Sequence, residues 1–424
     1  MSALDSSLSR RGFLSTSAAG FFVQGSGVIR LGIIGCGGRG EAAAMNAMNA
    51  GKDIRVVAMG DLLRDRAEEK RTALKLKYPE QMQVNDDHIF SGWDAYKQVI
   101  ASGVDVVVIA NAAKFHPLHL KAGIEAGKHV FVEKPHAIDP YGLKMVRAAC
   151  DLAKQKNLCV VSGLQSRYQP GYIETMKRVH DGAIGNIVAI QETWLRPPYV
   201  MYPRRPGMTE AVYQGSNQYH FNWLCGDDVP QTLIHNLDRS SWALGNAAPV
   251  RCYGMGGRST LRGEIFGNVF DHNSVVYDFP GGVRVYALCR TIPNCYEENS
   301  SLILGSKGRC DLLRLRIEGE TNWEHTGPKT KNNAYDLEHV ALFDAIRAGK
   351  TINNGDYMVR STTITQMGQF SCYTGKEVTW QQMQESNFYY APKPEECREG
   401  MEAPVKPGPD GIYPVFVPGE TKLL

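Results

Sequence analysis

The chain has 424 residues, of which 43% are hydrophobic and 21% charged, and its net charge at pH 7 is +3. These values fit a globular protein with room for two domains and two cores. The near-neutral charge gives no basis for binding nucleic acid. The sequence contains no run of about 18 apolar residues, so we expect no membrane-spanning helix.

The first 28 residues contain the motif Ser9-Arg10-Arg11-Gly12-Phe13-Leu14, which matches the twin-arginine export pattern. We expect residues 1–28 to be an export signal, which predicts a periplasmic or exported protein. The alternative is a disordered basic arm on a cytoplasmic protein. The apolar region after the motif is short and lacks a clear A-x-A cleavage site, so a retained signal also stays open.

The first predicted strand, at residues 29–34, runs directly into Gly35-x-Gly37-x-x-Gly40 and then into an alanine-rich helix. This order predicts a dinucleotide site. Gly35 permits the tight turn, Gly37 lets the backbone approach a pyrophosphate, and Gly40 allows the helix to pack on the strand. The free N–H groups at the start of the helix favour the diphosphate.

The second predicted strand, at residues 54–59, is followed by Asp61, about 20 residues beyond the last glycine of the turn. A carboxylate there accepts hydrogen bonds from the adenosine ribose and repels a 2′-phosphate, so we expect NAD. The alternative role for Asp61 is that of a helix-capping residue. Arg64 and Arg66 keep NADP possible, because either can reach a phosphate.

Strands and helices alternate over residues 29–163, which predicts a Rossmann domain with a doubly wound parallel sheet. The other predicted elements of this domain are helices at 61–76, 93–102, 117–127 and 140–156 and strands at 84–89, 104–110, 129–133 and 158–163.

Residues 164–390 predict an α+β domain with a large open, mostly antiparallel sheet, in which Gly281-Gly282 forms a hairpin turn. The predicted elements are helices at 170–181, 336–348 and 359–374 and strands at 187–194, 252–256, 273–279, 283–290 and 301–305. The segment 391–424, rich in Pro and Gly, predicts an extended arm packed on the body or on a neighbouring subunit, with disorder as the alternative.

The segment Glu133-Lys134-Pro135 lies at the carboxyl end of a predicted strand, where ligands bind in open parallel sheets. A lysine there lies beside the nicotinamide, and its ammonium polarises a substrate hydroxyl or carbonyl. The alternative is a surface lysine that precedes a turn proline.

Several motifs together resemble the glucose–fructose oxidoreductase/inositol dehydrogenase (Gfo/Idh/MocA) family. They are the glycine turn, F-H-P-x-H near Phe115, E-A-G-K-H-V-x-x-E-K-P ending at Pro135, the pair Arg167-Tyr168, and I-H-N-L-D-x-x-x-W-x-x-G from Ile234. The resemblance covers residue 29 to about residue 375. It implies a nucleotide-binding domain, an open-sheet domain and a homo-oligomer, a dimer or a tetramer.

By position, the resemblance implies that Lys134 is the catalytic lysine, that His235 is the acid/base residue and that Arg167 contacts the sugar. The alternative for His235 is a core histidine, and the alternative for Arg167 is a helix-capping or salt-bridged arginine. Gln231 occupies the position of the family's usual carboxylate and can orient a hydroxyl or the imidazole but cannot exchange a proton. Substitute carboxylates are Asp227, Asp228 and Asp238.

The expected site contains no metal, since His116-x-x-His119 lacks partners at useful spacing. His116 faces the cofactor by resemblance and alternatively only begins a helix. Aromatic residues between Trp194 and Trp223 suit either a sugar site or a core. The expected cofactor-binding residues are Gly35, Gly37, Gly38, Arg39, Gly40, Asp61, Asn111, His116, Glu133 and Lys134. The expected substrate-binding residues are Arg167, Tyr168 and Gln231.

Three functions follow from these patterns. The first is an NAD-dependent oxidoreductase acting on a secondary alcohol of a sugar or cyclitol. The second keeps NAD bound through export and is a sugar–sugar oxidoreductase or a redox-neutral glycosidase or lyase. The third is a non-catalytic protein that binds NAD. The expected partners are a sugar, cyclitol or glycoside, with no nucleic acid and no membrane span.

Overall fold

A computed structural model describes residues 27–327 and 333–424. The twin-arginine motif at residues 9–14 lies outside the described residues. All ten cysteines lie within them and are free thiols. In this part of the chain, no helix combines the length and the hydropathy needed to cross a membrane.

The first sheet has six strands in the order β3-β2-β1-β4-β5-β6, all parallel, which confirms the predicted doubly wound arrangement. Its strands and helices are β1 (Ile29–Ile34), α1 (Gly38–Asn49), β2 (Ile54–Asp61), α2 (Arg64–Lys77), β3 (Ile89–Ser91), α3 (Ala95–Ala101), β4 (Val106–Ile109), α4 (His116–Glu125), β5 (His129–Val132), α5 (Pro140–Gln155) and β6 (Val160–Ser162).

The predicted strand at 84–89 is wrong in its position. Strand β3 begins only at Ile89, and a 3-10 turn at Asp86–His88 precedes it. Asp86 and Asp87 are exposed, and a strand through them would have buried a charged side chain in the sheet.

The second sheet has nine strands in the order β14-β13-β12-β11-β7-β10-β9-β8-β15. Strand β10 pairs in parallel with β7 and every other described pair is antiparallel, which confirms the predicted mostly antiparallel sheet. The elements are α6 (Pro170–His180), β7 (Ile187–Leu195), α7 (Glu210–Ser216), α8 (Asn222–Cys225), α9 (Ile234–Ala243), β8 (Arg251–Gly257), β9 (His272–Asp278), β10 (Arg284–Arg290), β11 (Glu298–Gly305), β12 (Gly308–Asp311), β13 (Arg316–Gly319), β14 (Trp323–Glu324), α10 (Ala334–Arg347), α11 (Gly355–Thr374), β15 (Val378–Thr379) and α12 (Trp380–Glu385).

The late helices connect the two sheets. Helix α11 is almost wholly buried against β8 and β9 on one side and α5 on the other, and it begins four residues before the predicted start at 359. Helix α10 packs on α1, where Leu342 and Phe343 join the core of the first sheet. The Asn46 amide donates to Asp336 at 2.8 Å across the same contact.

The segment 391–424 contains only the short 3-10 turn Pro394–Glu396 and packs against the second domain. Tyr413 is fully buried, and Arg258 donates to its carbonyl at 2.8 Å. The Gln214 amide donates to the Val405 carbonyl at 2.6 Å. The arm therefore braces α7 from the outside.

The glycine turn generates a first prediction about stability. A Cβ on Gly40 would lie 1.8 Å from the Gly35 carbonyl oxygen, whereas a Cβ on Gly38 would meet no heavy atom within 4 Å. We expect Gly40→Ala to lower the free energy of unfolding by about 2 kcal/mol or more, because backbone must move. We expect Gly38→Ala to stay within about 1 kcal/mol of wild type. Guanidinium denaturation followed by circular dichroism measures both, and equal values would contradict the close approach.

Candidate active site

A cavity of about 390 Å³ lies at the carboxyl edge of the first sheet. It is bounded by the glycine turn, by the ends of β2 and β4, and by a segment of the second domain. The expected cofactor residues that line it are Gly35, Gly37, Gly38, Arg39, Asp61 and Asn111.

The glycine turn has the geometry that a dinucleotide needs. Gly35 has φ +93°, and a Cβ there would lie 2.4 Å from the backbone nitrogen of Asn111. A Cβ on Gly37 would meet no heavy atom within 4 Å, so this backbone is open to a ligand at the N-terminus of α1. These observations fit a diphosphate at the turn.

Asp61 lines the same cavity and is held by backbone amides. Cys36 N–H donates to its Oδ2 at 2.7 Å and Leu63 N–H to its Oδ1 at 3.0 Å. Burial raises the pKa of Asp61, and these amides together with Arg66 oppose that rise. Arg66 also lines the cavity, whereas Arg64 donates to Glu68 and to backbone carbonyls away from it.

A second cavity, of about 280 Å³, shares Arg39, Asn111 and Tyr199 with the first, so the two adjoin. It brings Lys134 and His235 together, although 100 residues separate them in the sequence. The other lining residues are Ala110, Ala113, Glu133, Trp194, Gln218, Tyr219, Gln231 and Tyr335.

Lys134 leaves the end of β5 and crosses to the second domain. Its Nζ donates to the Gln231 carbonyl at 2.7 Å. The preceding Glu133 forms an ion pair of 2.5 Å with Arg39 and accepts from the Lys134 amide at 3.2 Å. The lysine is therefore fixed by a neutral acceptor, while the glutamate is neutralised by the arginine of the glycine turn.

His235 lies in the first turn of α9, directly after a π-helix at Val229–Leu233. Buried Glu192 on β7 anchors this helix by accepting from Asn236 at 2.9 Å and Ser240 at 2.6 Å. Burial, followed by the charge of Lys134, lowers the pKa of His235 well below its usual value, so its imidazole is neutral at pH 7. Its Nδ1 has no hydrogen-bond partner among the described residues.

Gln231 lines the Lys134 cavity, but its side-chain amide nitrogen donates to the Cys225 carbonyl at 3.0 Å. The expected substitute carboxylates are engaged elsewhere. Asp227 accepts from the Tyr373 hydroxyl, and Asp228 pairs with Arg196 at 2.8 Å. Asp238 pairs with Arg167, and none of the three lines the Lys134 cavity. The carboxylate–histidine arrangement of the family is therefore absent from this cavity.

The structure does not bring Arg167 or Tyr168 to either cavity. Arg167 donates to both oxygens of buried Asp238 at 2.9–3.1 Å and lies over the Tyr357 ring. The Tyr168 hydroxyl donates to Asn354 at 2.8 Å. Both residues lie on a 3-10 turn after β6 and tie it to α9 and α11, so the salt-bridge alternative describes Arg167.

His116 also lies outside both cavity linings. Its Nδ1 is 2.7 Å from the Pro135 carbonyl and its Nε2 is 3.0 Å from the Asn111 carbonyl. Burial lowers its pKa. It therefore braces the loop that carries Lys134 against the loop that carries Asn111.

The predicted aromatic cluster divides in two. Trp194, Tyr199 and Tyr219 line the Lys134 cavity, and the last two rings stack at 4.5 Å, whereas Tyr213 and Trp223 belong to the core. The sequence patterns assigned no cofactor or substrate role to four residues that line the cavities, Trp93, Phe115, His119 and Tyr335. Tyr335 faces Arg39 at 4.7 Å from a helix some 200 residues beyond Lys134, and no motif marks it.

The fold and the two adjoining cavities define a class of protein in which a Rossmann domain with a dinucleotide-type glycine turn is joined to an open-sheet domain. Residues 29–164 match the model of the Gfo/Idh/MocA oxidoreductase family with an NAD-binding Rossmann fold, so the first domain is of that family's type.

Two relatives illustrate the match. An inositol 2-dehydrogenase/D-chiro-inositol 3-dehydrogenase of Halalkalibacterium halodurans is 29% identical over 222 residues, 51% of this chain and 53% of that protein. The alignment thus spans about half the length of that relative. A scyllo-inositol 2-dehydrogenase (NAD(+)) of Bacillus subtilis is 27% identical over 335 residues, 76% of this chain and 87% of that protein.

Among solved structures, the aldose-aldose oxidoreductase from Caulobacter crescentus aligns with a TM-score of 0.64 at 20% identity. The alignment covers 83% of this chain and 99% of that chain. At 20% identity, this similarity shows that the two chains share a fold and nothing further.

The buried ion pair generates a second prediction. Arg167 is 11% exposed and Asp238 is 1% exposed, so truncating the arginine leaves a buried charge without its partner. We expect Arg167→Ala to lower the free energy of unfolding by about 3 kcal/mol. The control Arg178→Ala removes a half-exposed pair with Glu174 and should cost less than about 1 kcal/mol. Urea denaturation measures both, and an Arg167→Ala protein as stable as wild type would contradict a stabilising role for this ion pair.

Proposed function

We propose that this protein is an NAD-dependent oxidoreductase that transfers a hydride between nicotinamide and a secondary alcohol of a sugar or cyclitol. The observation that carries the proposal is the shared cavity of Lys134 and His235, which adjoins the glycine-turn cavity. The residues of the glycine turn would hold the diphosphate of a dinucleotide, and Lys134 and His235 would act on a substrate beside its nicotinamide.

When bound, the nicotinamide supplies the hydride acceptor or donor. Lys134 donates one of its three N–H bonds to the Gln231 carbonyl, and its other N–H groups are available to a substrate oxygen. The neutral imidazole of His235 accepts the hydroxyl proton as the alcohol is oxidised. Asn111 has a buried Oδ1 without a partner among the described residues, which suits a donor from the nicotinamide ribose.

The substrate class follows from the relatives and from the cavity wall. The relatives named above act on inositols, which carry secondary alcohols on a ring. The rings of Trp194, Tyr199 and Tyr219 provide apolar surface for the C–H face of such a ring. Preference for NAD over NADP is supported by Asp61 in the cavity and by Arg66, which is engaged by Asp61 and Ser216.

A second candidate is a reaction in which NAD stays bound and returns to its starting state. This is a sugar–sugar oxidoreductase or a redox-neutral glycosidase or lyase. It is favoured by the twin-arginine motif at residues 9–14, since little NAD is free outside the cytoplasm, and by the enclosure of the first cavity between both domains. The third candidate, a non-catalytic NAD-binding protein, predicts that Lys134 is dispensable.

The catalytic roles generate a third prediction. We expect Lys134→Ala and His235→Ala each to lower kcat/KM by about 100-fold or more, because each removes a group that handles the proton. The control Lys121→Ala changes an exposed, helix-surface lysine and should leave kcat/KM within about twofold.

The measurement is NADH formation with myo-inositol, scyllo-inositol and aldohexoses, followed by cleavage of nitrophenyl glycosides. Wild-type turnover of a glycoside without net NADH would favour the second candidate. Lys134→Ala with full activity on every substrate that wild type uses would contradict both catalytic proposals.

We further propose that the chain forms a homo-oligomer through the open face of the second sheet. Tyr253 and Met255 on β8 and Tyr286 on β10, the two strands that flank β9, are 39%, 74% and 41% exposed. Such a row of large apolar side chains on a flat sheet suits a second copy of the same face.

A fourth prediction tests this face. We expect Tyr286→Arg to convert an oligomer into a monomer, because two facing copies would bury like charges. The control Tyr296→Arg changes an exposed tyrosine on the β10–β11 connection and should keep the wild-type mass. Size-exclusion chromatography with light scattering gives the mass, and a wild-type monomer would refute the proposal.

A further inference from the structure

We infer that the second domain supplies one wall of the adenosine site, so that the dinucleotide is enclosed between two domains and exchanges slowly. The wall is the segment 196–220, hereafter the cover segment, which contains α7. This inference rests on the proposed dinucleotide-dependent function, and it assigns residues of the second domain to cofactor binding.

The cover segment lines the 390 Å³ cavity opposite the glycine turn. Asp61 marks the adenosine ribose end, since an acidic residue after the second strand of this fold accepts from that ribose. The cover residues on the same cavity are Tyr199, Val200, Tyr202, Gly215, Ser216, Gln218 and Tyr219.

Arg66 joins the cover segment to the Rossmann domain beside Asp61. Its guanidinium carbon lies 4.7 Å from the centre of the Tyr202 ring, and its Nη2 donates to the Ser216 carbonyl at 3.3 Å. Its Nη1 lies 3.6 Å from Asp61 Oδ1. One partly buried side chain thus holds both the ribose-binding carboxylate and the cover.

Gly215 brings the cover into direct contact with the edge of the sheet. A Cβ at this position would lie 2.5 Å from Leu62 Cδ2 and 3.2 Å from Trp93 Cη2. Since Leu62 follows β2 and Trp93 follows β3, α7 lies against the cavity rim with no space for a side chain. The described conformation is therefore closed.

The second domain holds the cover from behind. Tyr202 N–H donates to Asn217 Oδ1 at 2.9 Å, and the Asn217 amide donates to the Ile265 carbonyl at 2.8 Å. Buried Gln214 of α7 donates to the Val405 carbonyl of the arm and accepts from the Trp223 indole at 2.8 Å. Release of the adenosine half therefore requires the cover to move against these anchors.

A fifth prediction tests the inference by nucleotide dissociation from the purified chain. Rates and affinities are measured from tryptophan fluorescence, since Trp93 lines the cavity, with NAD+, ADP-ribose and nicotinamide mononucleotide as probes. We expect Tyr202→Ala to speed dissociation of NAD+ and ADP-ribose about tenfold and to leave nicotinamide mononucleotide within about twofold. Gly215→Leu should have the same pattern, because its side chain wedges the cover away from Leu62.

The control Tyr389→Ala removes another half-exposed tyrosine that lies under a lysine, Lys393, and should match wild type. If Tyr202→Ala keeps the wild-type circular dichroism spectrum and the wild-type NAD+ dissociation rate, the inference is wrong and the proposed function stands. If wild type binds neither NAD+ nor NADP+ nor ADP-ribose, the proposed function fails as well. Should Gly215→Leu not fold, Tyr202→Ala decides.

Discussion

The approach of three backbone segments at the glycine turn is the constraint on which the site depends. Gly35 lies against the backbone of Asn111, and Gly40 lies against the Gly35 carbonyl. Side chains at these two glycines would separate β1, β4 and α1. Because glycine has no side chain, the N-terminus of α1 and the end of β4 meet at one point, and the glycine-turn cavity opens there.

The hydrogen bond from Lys134 to the Gln231 carbonyl is the corresponding link between the domains. It joins the end of β5 to the π-helix before His235, at the kind of irregular turn that often marks functional sites. Gln231 occupies the position of the family's usual carboxylate, and its side-chain amide donates to the Cys225 carbonyl. The carboxylate that lines this cavity, Glu133, is paired with Arg39, so under the proposed function Lys134 and His235 handle the proton.

Enclosure of the cavity bears on which reaction the chain performs. A cofactor that diffuses away after each turnover needs an open adenosine site, whereas a cofactor that returns to its starting state does not. The contacts of Arg66 and Gly215 with the cover segment fit the second situation. They also link cofactor retention to the C-terminal arm, which supports α7 through Val405.

The sequence by itself determined the Rossmann order, the glycine turn, Asp61 and the position of Lys134, because spacing along one chain encodes strand, turn and helix locally. It also indicated the mostly antiparallel second sheet through alternating strands and hairpin turns. Only the tertiary structure decided which side chains meet. Arg167 forms an ion pair with Asp238, and the Gln231 amide donates to the Cys225 carbonyl. Tyr335, on a helix distant in sequence, lies beside Arg39. Such contacts depend on packing between elements far apart in sequence, and no local pattern carries that information.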